Sequence, residues 1–89
     1  MKETFLLKGT IYCFRTVTMI YVGRLVDVNE SEFLVSDCSW VAETDRWQQF
    51  LENGSVRENE PYPKAKNVVL SRGAMLDIVE FPKILDVQK

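Results

Sequence analysis

The sequence predicts a mainly β domain: a small, strongly bent antiparallel barrel of five strands, with one short helix inserted between the third and fourth. Three observations predict it. Apolar and β-branched residues gather in short runs without helical spacing, a glycine stands inside the longest run, and Val68–Leu70 and Met75–Phe81 are separated only by Ser71, Arg72, Gly73 and Ala74. β-Branched and aromatic residues fit a pleated, half-buried surface. An internal glycine weakens a strand locally and permits the bend that a small closed barrel needs. Gly73, free to take a positive φ, makes the last break a tight turn with Arg72 at its tip, so residues 68–81 read as a hairpin.

Taken in order, Phe5, Leu6 and Leu7 form a short edge strand or packed tail, closed by a turn at Lys8-Gly9. The first main strand is Thr10–Arg15. After a bend near Arg15-Thr16 comes the long run Val17–Val28, with Met19, Tyr21 and Leu25 on one side and Ile20, Val22, Val26 and Val28 on the other. Two apolar faces imply burial on both, and in so small a domain the second face suggests a partner subunit. Asn29–Glu32 is a polar turn, and Phe33–Val41 completes an antiparallel hairpin.

From Thr44 the period changes. Trp47, Phe50 and Leu51 fall at i, i+3, i+4, Thr44 is placed to cap, Asp45 suits the first turn and Gly54 suits a left-handed C-terminal cap. This predicts a helix of about three turns, packed through those three side chains. Residues 55–67 are polar and hold Pro61 and Pro63 around Tyr62, so they read as a loop back to the barrel.

Length and composition narrow the function. Eighty-nine residues, 46% hydrophobic and 27% charged, make one globular domain spanning 1–89, with 44–67 as a helix-plus-loop insertion. Such a chain buries roughly 60% of its unfolded surface, so it folds alone with little margin and gains from oligomerisation. No apolar run approaches the length of a membrane span, and the charged N-terminus does not read as a signal peptide, so a cytoplasmic location without membrane contact is expected. Net charge of −2 argues against a broad phosphate-binding surface and leaves only a local site. Cys13 and Cys38, both inside apolar runs, read as buried small hydrophobes rather than a disulfide or metal pair. With no histidine the usual general base is missing, so no catalytic residue, metal ligand or cofactor is assigned and an enzyme is not expected.

Two motifs then stand out. Tyr21-Val22-Gly23-Arg24-Leu25 with Phe33-Leu34-Val35-Ser36-Asp37, and Leu70-Ser71-Arg72-Gly73-Ala74-Met75-Leu76, resemble the two motifs of the Sm-like family of RNA-associated ring proteins. The first is a bent, glycine-bearing strand running into a hairpin, the second a strand–Arg-Gly–strand unit. Residues 43–67 lie outside the shared pattern. The resemblance implies an SH3-like barrel that closes into a homo-oligomeric ring of about five to seven subunits by pairing its fourth strand with the fifth strand of a neighbour. It also implies a single-stranded RNA site, or less readily a DNA site, at the ring's inner rim. There Asn29 takes the place of the loop acid or amide, Ser31 the base-stacking position, Glu32 the adjacent amide, and Arg72 with Gly73 the second loop.

Physical chemistry qualifies that expectation. Ser31 has no flat face, whereas stacking supplies about 1–3 kcal/mol per base in single-strand binders. Glu30 and Glu32 put carboxylates where phosphates would approach. Binding at such a rim is therefore expected to be weak and salt-sensitive, carried by Arg72, which could alternatively bridge to a neighbouring acid. The rival from another class is a ring that serves assembly or protein interaction and binds no nucleic acid.

Overall fold

The computed structural model describes residues 4–89; Met1, Lys2 and Glu3, which belong to the predicted N-terminal segment, lie outside the described residues. Six strands and one α-helix run in the order β1 (Ile11–Arg15), β2 (Ile20–Val28), β3 (Glu32–Thr44), α1 (Trp47–Asn53), β4 (Val56–Pro61), β5 (Val68–Ser71) and β6 (Asp77–Glu80), with a single 3-10 turn, Arg72–Ala74, between β5 and β6. The fold is mainly β, as the sequence predicts, with one more strand than expected. The sheet order is β4-β3-β2-β1-β6, all antiparallel, and β5 pairs with the first part of β3.

Gly23 sits opposite a bulge in β3. Arg24 pairs with Ser36 and Val22 with Ser39, so Asp37 and Cys38 together oppose Gly23 alone. Asp37 takes the left-handed conformation, φ 50°, which aspartate tolerates better than most residues. This bulge adds one residue to β3, bends it, and returns Cys38 to the face already occupied by Val35. A second shift, between Leu25 and Asp27, has the same effect on β2. Val28 therefore packs with Leu25, against the expected alternation, and Val26 is exposed. Strict period-two reading fails there because one inserted residue reverses every side chain beyond it.

Both faces of the sheet are buried, and the chain covers both itself. Tyr12, Phe14, Leu25, Val35 and Leu70 form one core, with Leu6 of the N-terminal segment packed against it. Cys13, Val22 and Val41 form the other, together with Phe50 of α1 and Phe81 and Leu85 of the C-terminal segment. The second apolar face expected to meet a partner subunit is thus covered by α1 and residues 81–85.

The insertion is differently built from its sequence reading. Thr44 ends β3 rather than capping the helix; the cap position is Arg46, whose own side chain makes no capping hydrogen bond. Asp45 instead accepts from the Arg46 amide at 2.9 Å and the Ser55 hydroxyl at 3.0 Å, tying the entrance of the excursion to its exit. The helix has seven residues, about two turns, and Gly54 caps it in the left-handed region as expected, its amide bonded to the Phe50 carbonyl at 2.9 Å. Phe50 is fully buried and Leu51 half-buried, but Trp47 is 39% exposed, lying over Phe50 and under the Arg15 guanidinium.

Residues 56–61, expected as loop, are the strand β4, paired with the end of β3. Its apolar signal is missing because only Val56 and Asn59 point into the protein. Asn59 is buried, donates to the Ser39 hydroxyl at 3.0 Å and the Val87 carbonyl at 3.1 Å, and exchanges two backbone hydrogen bonds with Lys89. A buried amide thereby fixes the C-terminal segment to the sheet.

The expected hairpin at 68–81 does not form. β5 pairs with β3 and β6 with β1, so the strands on either side of Arg72-Gly73 part to different neighbours. Gly73 takes no positive φ, because the connection is a 3-10 turn that any residue can adopt. The Leu76 amide then reaches the Arg15 carbonyl at 2.7 Å, and Arg15 holds Asp77 through both carboxylate oxygens, with the Nε bond at 3.0 Å. No helix of the described residues is long and apolar enough to cross a membrane.

The cysteines are free and buried on opposite faces. Burial pushes both thiols up from 9.0 to about 12, and for Cys13 the Asp77 carboxylate adds to the effect. Because the folded values are raised, the contribution to stability is intact below pH 9.0. It is lost as pH rises toward about 12, where the unfolded chain ionises first. Urea midpoints are expected to fall progressively above pH 9.0, and iodoacetamide should alkylate the native thiols far more slowly than the unfolded ones. Equal alkylation rates in the two states would show that the thiols are accessible.

Candidate nucleic-acid interface

The β2–β3 loop and the 3-10 turn, distant in sequence, meet at one end of the sheet. The Asn29 side-chain oxygen accepts from the amides of Ser31 at 2.8 Å and Glu32 at 2.7 Å, and from the Ser31 hydroxyl at 3.3 Å. This closes the loop on itself, a role short amide side chains fill in turns. The Arg72 amide then donates to the Ser31 carbonyl at 3.0 Å, and its guanidinium Nη1 donates to the Asn29 carbonyl. The guanidinium lies 5.5 Å from the Phe33 ring centroid.

The structure therefore brings Asn29, Ser31, Glu32 and Arg72 together, with Gly73 exposed beside them. It also gives Asn29 and Arg72 structural work. Asn29 spends its acceptor on its own loop. Arg72 does not project from a hairpin tip; it is folded back over Phe33, half-buried, with one arm of its fork on the loop.

A cleft of about 430 Å³ lies alongside, lined by Arg72, Asn29, Glu30, Lys8 and Asp27, with Leu6 at its edge. Lys8 and Asp27 pair across it at 3.0 Å, and Lys8, followed by the Val28 amide, holds the Asp27 carboxyl below its ordinary range. Two cations and two carboxylates line the same cleft, so its local charge is close to balanced. That is a poor field for a polyanion and a reasonable one for polar protein groups.

Lys8, Asp27 and Phe33 belong to this surface but were not among the predicted site residues. Lys8 reaches it because the N-terminal segment folds back, the Leu7 amide bonding to the Tyr12 hydroxyl at 2.9 Å and the Gly9 amide to the Leu25 carbonyl at 2.7 Å. No local sequence signal carries that packing. Among the described residues no group of three or more acidic or cysteine side chains is gathered to hold a metal ion.

The fold and this surface define a mainly β antiparallel domain with a loop-to-loop junction built on one arginine. No family model, curated protein or solved structure matches the chain, so the resemblance to the Sm-like family rests on the quoted residues alone.

Proposed function

We propose that the chain is a binding and assembly module of Sm-like type, which associates with copies of itself strand to strand through β5 and β6. One observation carries this reading. β5 has β3 as its strand partner and β6 has β1, and the outward residues Val69, Leu76 and Val79 are 57%, 57% and 37% exposed along these strands and the turn between them. Unpaired, apolar strand edges are ordinarily covered. The parting of β5 and β6 to β3 and β1 fits a sheet bent into a small SH3-like barrel, which would present the two edges on opposite flanks for head-to-tail closure.

Light scattering is expected to give a mass several times that of one 10.3 kDa chain, and Val69→Glu with Leu76→Glu should return it to one chain without loss of β-sheet circular dichroism. A wild-type mass of one chain at micromolar concentration overturns the reading.

A second reading, single-stranded RNA bound at the Asn29–Arg72 surface, is supported by the meeting of the two loops. One guanidinium per subunit, repeated by symmetry, would have to outweigh the equally repeated Glu30 and Glu32. Fluorescence anisotropy with oligouridine at low salt separates the two. Binding lost in Arg72→Gln, with the assembly intact, favours RNA; absence of binding leaves assembly alone.

A further inference from the structure

At the other end of the β2–β3 pair from the Arg72 surface, a groove of about 480 Å³ is lined by Met19, Trp40, Glu60, Pro61, Tyr62 and Pro63. Its walls are tied to the sheet and to a turn by backbone bonds. Trp40 stands on β3, paired with Tyr21 on one side and Glu60 on the other, and the Tyr62 amide is fixed to the Cys38 carbonyl at 2.8 Å. Tyr62, set between two prolines, is 38% exposed. Met19 is held by a turn in which its amide bonds to the Thr16 hydroxyl at 2.8 Å.

Along the β3–β4 side of this groove the charge has one sign, while Lys64, which follows Pro63 and lines a neighbouring cleft with Pro61 and Tyr62, stands at its other end. Directly opposed residues share a face, so Trp40 and Glu60 point the same way, and Glu58, two residues from Glu60 on β4, points with them. Glu43, opposite Glu58, completes a row of three exposed carboxylates beside the aromatic groove. Among the described residues none of the three is in an ion pair, whereas Lys8, Arg15 and Arg57 are all paired elsewhere.

We propose that this groove binds an extended, proline-containing segment of another protein that carries arginine or lysine. Aromatic-lined grooves take the preformed extended conformation of proline-rich chain at low entropic cost, with rings packing on proline. Trp40 and Tyr62 supply the ring faces, and Glu60, Glu58 and Glu43 meet the cations that follow along the strand. The carboxylate row disfavours the other occupants. A nucleic-acid backbone would meet three like charges, and a second copy placed face to face would set each row against itself.

The test is anisotropy of a short fluorescein-labelled peptide of alternating proline and arginine, titrated with the full chain. The expected result is saturable binding, absent for the matching proline–glutamate peptide. Two surface variants resolve the parts. Glu58→Gln with Glu60→Gln should weaken binding about tenfold, and Tyr62→Ser should weaken it at least as much, tenfold being about 1.4 kcal/mol.

The proposal is overturned if the arginine peptide does not bind, or if neither variant weakens it. It is also overturned if oligouridine competes for the groove, or if Tyr62→Ser abolishes self-association, which would make a second copy the occupant. Because neither Val69 nor Leu76 lines this groove, Val69→Glu with Leu76→Glu should bind the peptide as the wild type does.

Discussion

Phe50→Ala is expected to lower the unfolding free energy by about 3–5 kcal/mol, the usual range for removing a fully buried aromatic ring. Phe50 has no exposed surface, its ring centroid lies 4.7 Å from that of Phe81 and 5.5 Å from that of Trp47, and it joins α1 to the second core. A domain of this size has about 5–15 kcal/mol in total, so the variant should sit close to its folding threshold. Urea unfolding followed by far-ultraviolet circular dichroism measures the change. The comparison with Trp47→Ala matters as much as the value. Trp47 lies at the rim of the same cluster, 39% exposed, and loses one ring stack and one cation–π contact at 5.4 Å, each worth about 0.5–1.5 kcal/mol. If Trp47→Ala proves as costly as Phe50→Ala, the helix is anchored differently from this packing.

Gly23→Ala should cost about 1–3 kcal/mol or more, the range for forcing an added carbon into a packed site. A Cβ on Gly23 would overlap Val35 Cγ1, and would stand 3.0 Å from the Ser36 carbonyl oxygen and 3.2 Å from Cys38 Cα. Two of those three neighbours are backbone atoms of the bulge, which cannot move without undoing the Asp37 conformation. Gly73→Ala supplies the contrast. A Cβ there would meet only the Ser71 hydroxyl, at 3.9 Å, so a change within about 0.5 kcal/mol is expected. Thermal melts of the two variants decide whether the bend or the turn is the constrained glycine, and equal shifts would count against the bulge geometry.

The two glycines illustrate how far the sequence could be read. Gly23 was recognisable as the site of a bend because a glycine inside an apolar run has few other reasons to be there. The need for it at Gly73 was misplaced, since Arg-Gly between two β-rich runs looks like a hairpin tip. Whether those strands pair with each other depends on β1 and β3, which lie far away in sequence. Asn29, Ser31, Glu32 and Arg72 were legible as polar loop residues that could share a surface. Asn29 closes its own loop through bonds to the amides two and three residues on, whereas the bracing of that loop by Arg72 follows from a contact with Asn29 across 43 residues of chain.

The sequence by itself determined the β class, the β2–β3 hairpin, a helix within residues 44–53 ending at the Gly54 cap, and the burial of both cysteines; it did not determine that the helix starts at Trp47 rather than at Thr44. Those features are written in local periodicity, turn chemistry and side-chain apolarity, which act over a few residues at a time. Only the tertiary structure decided that β4 is a strand, because its inward residues are one apolar side chain, Val56, and one amide, Asn59, whose partners are Ser39 of β3 and Val87 of the C-terminal segment. It alone decided that α1, Phe81 and Leu85 cover the second face that the alternating pattern left open. Burial patterns show that a face must be covered, and the covering element is chosen by long-range packing, which no local pattern records.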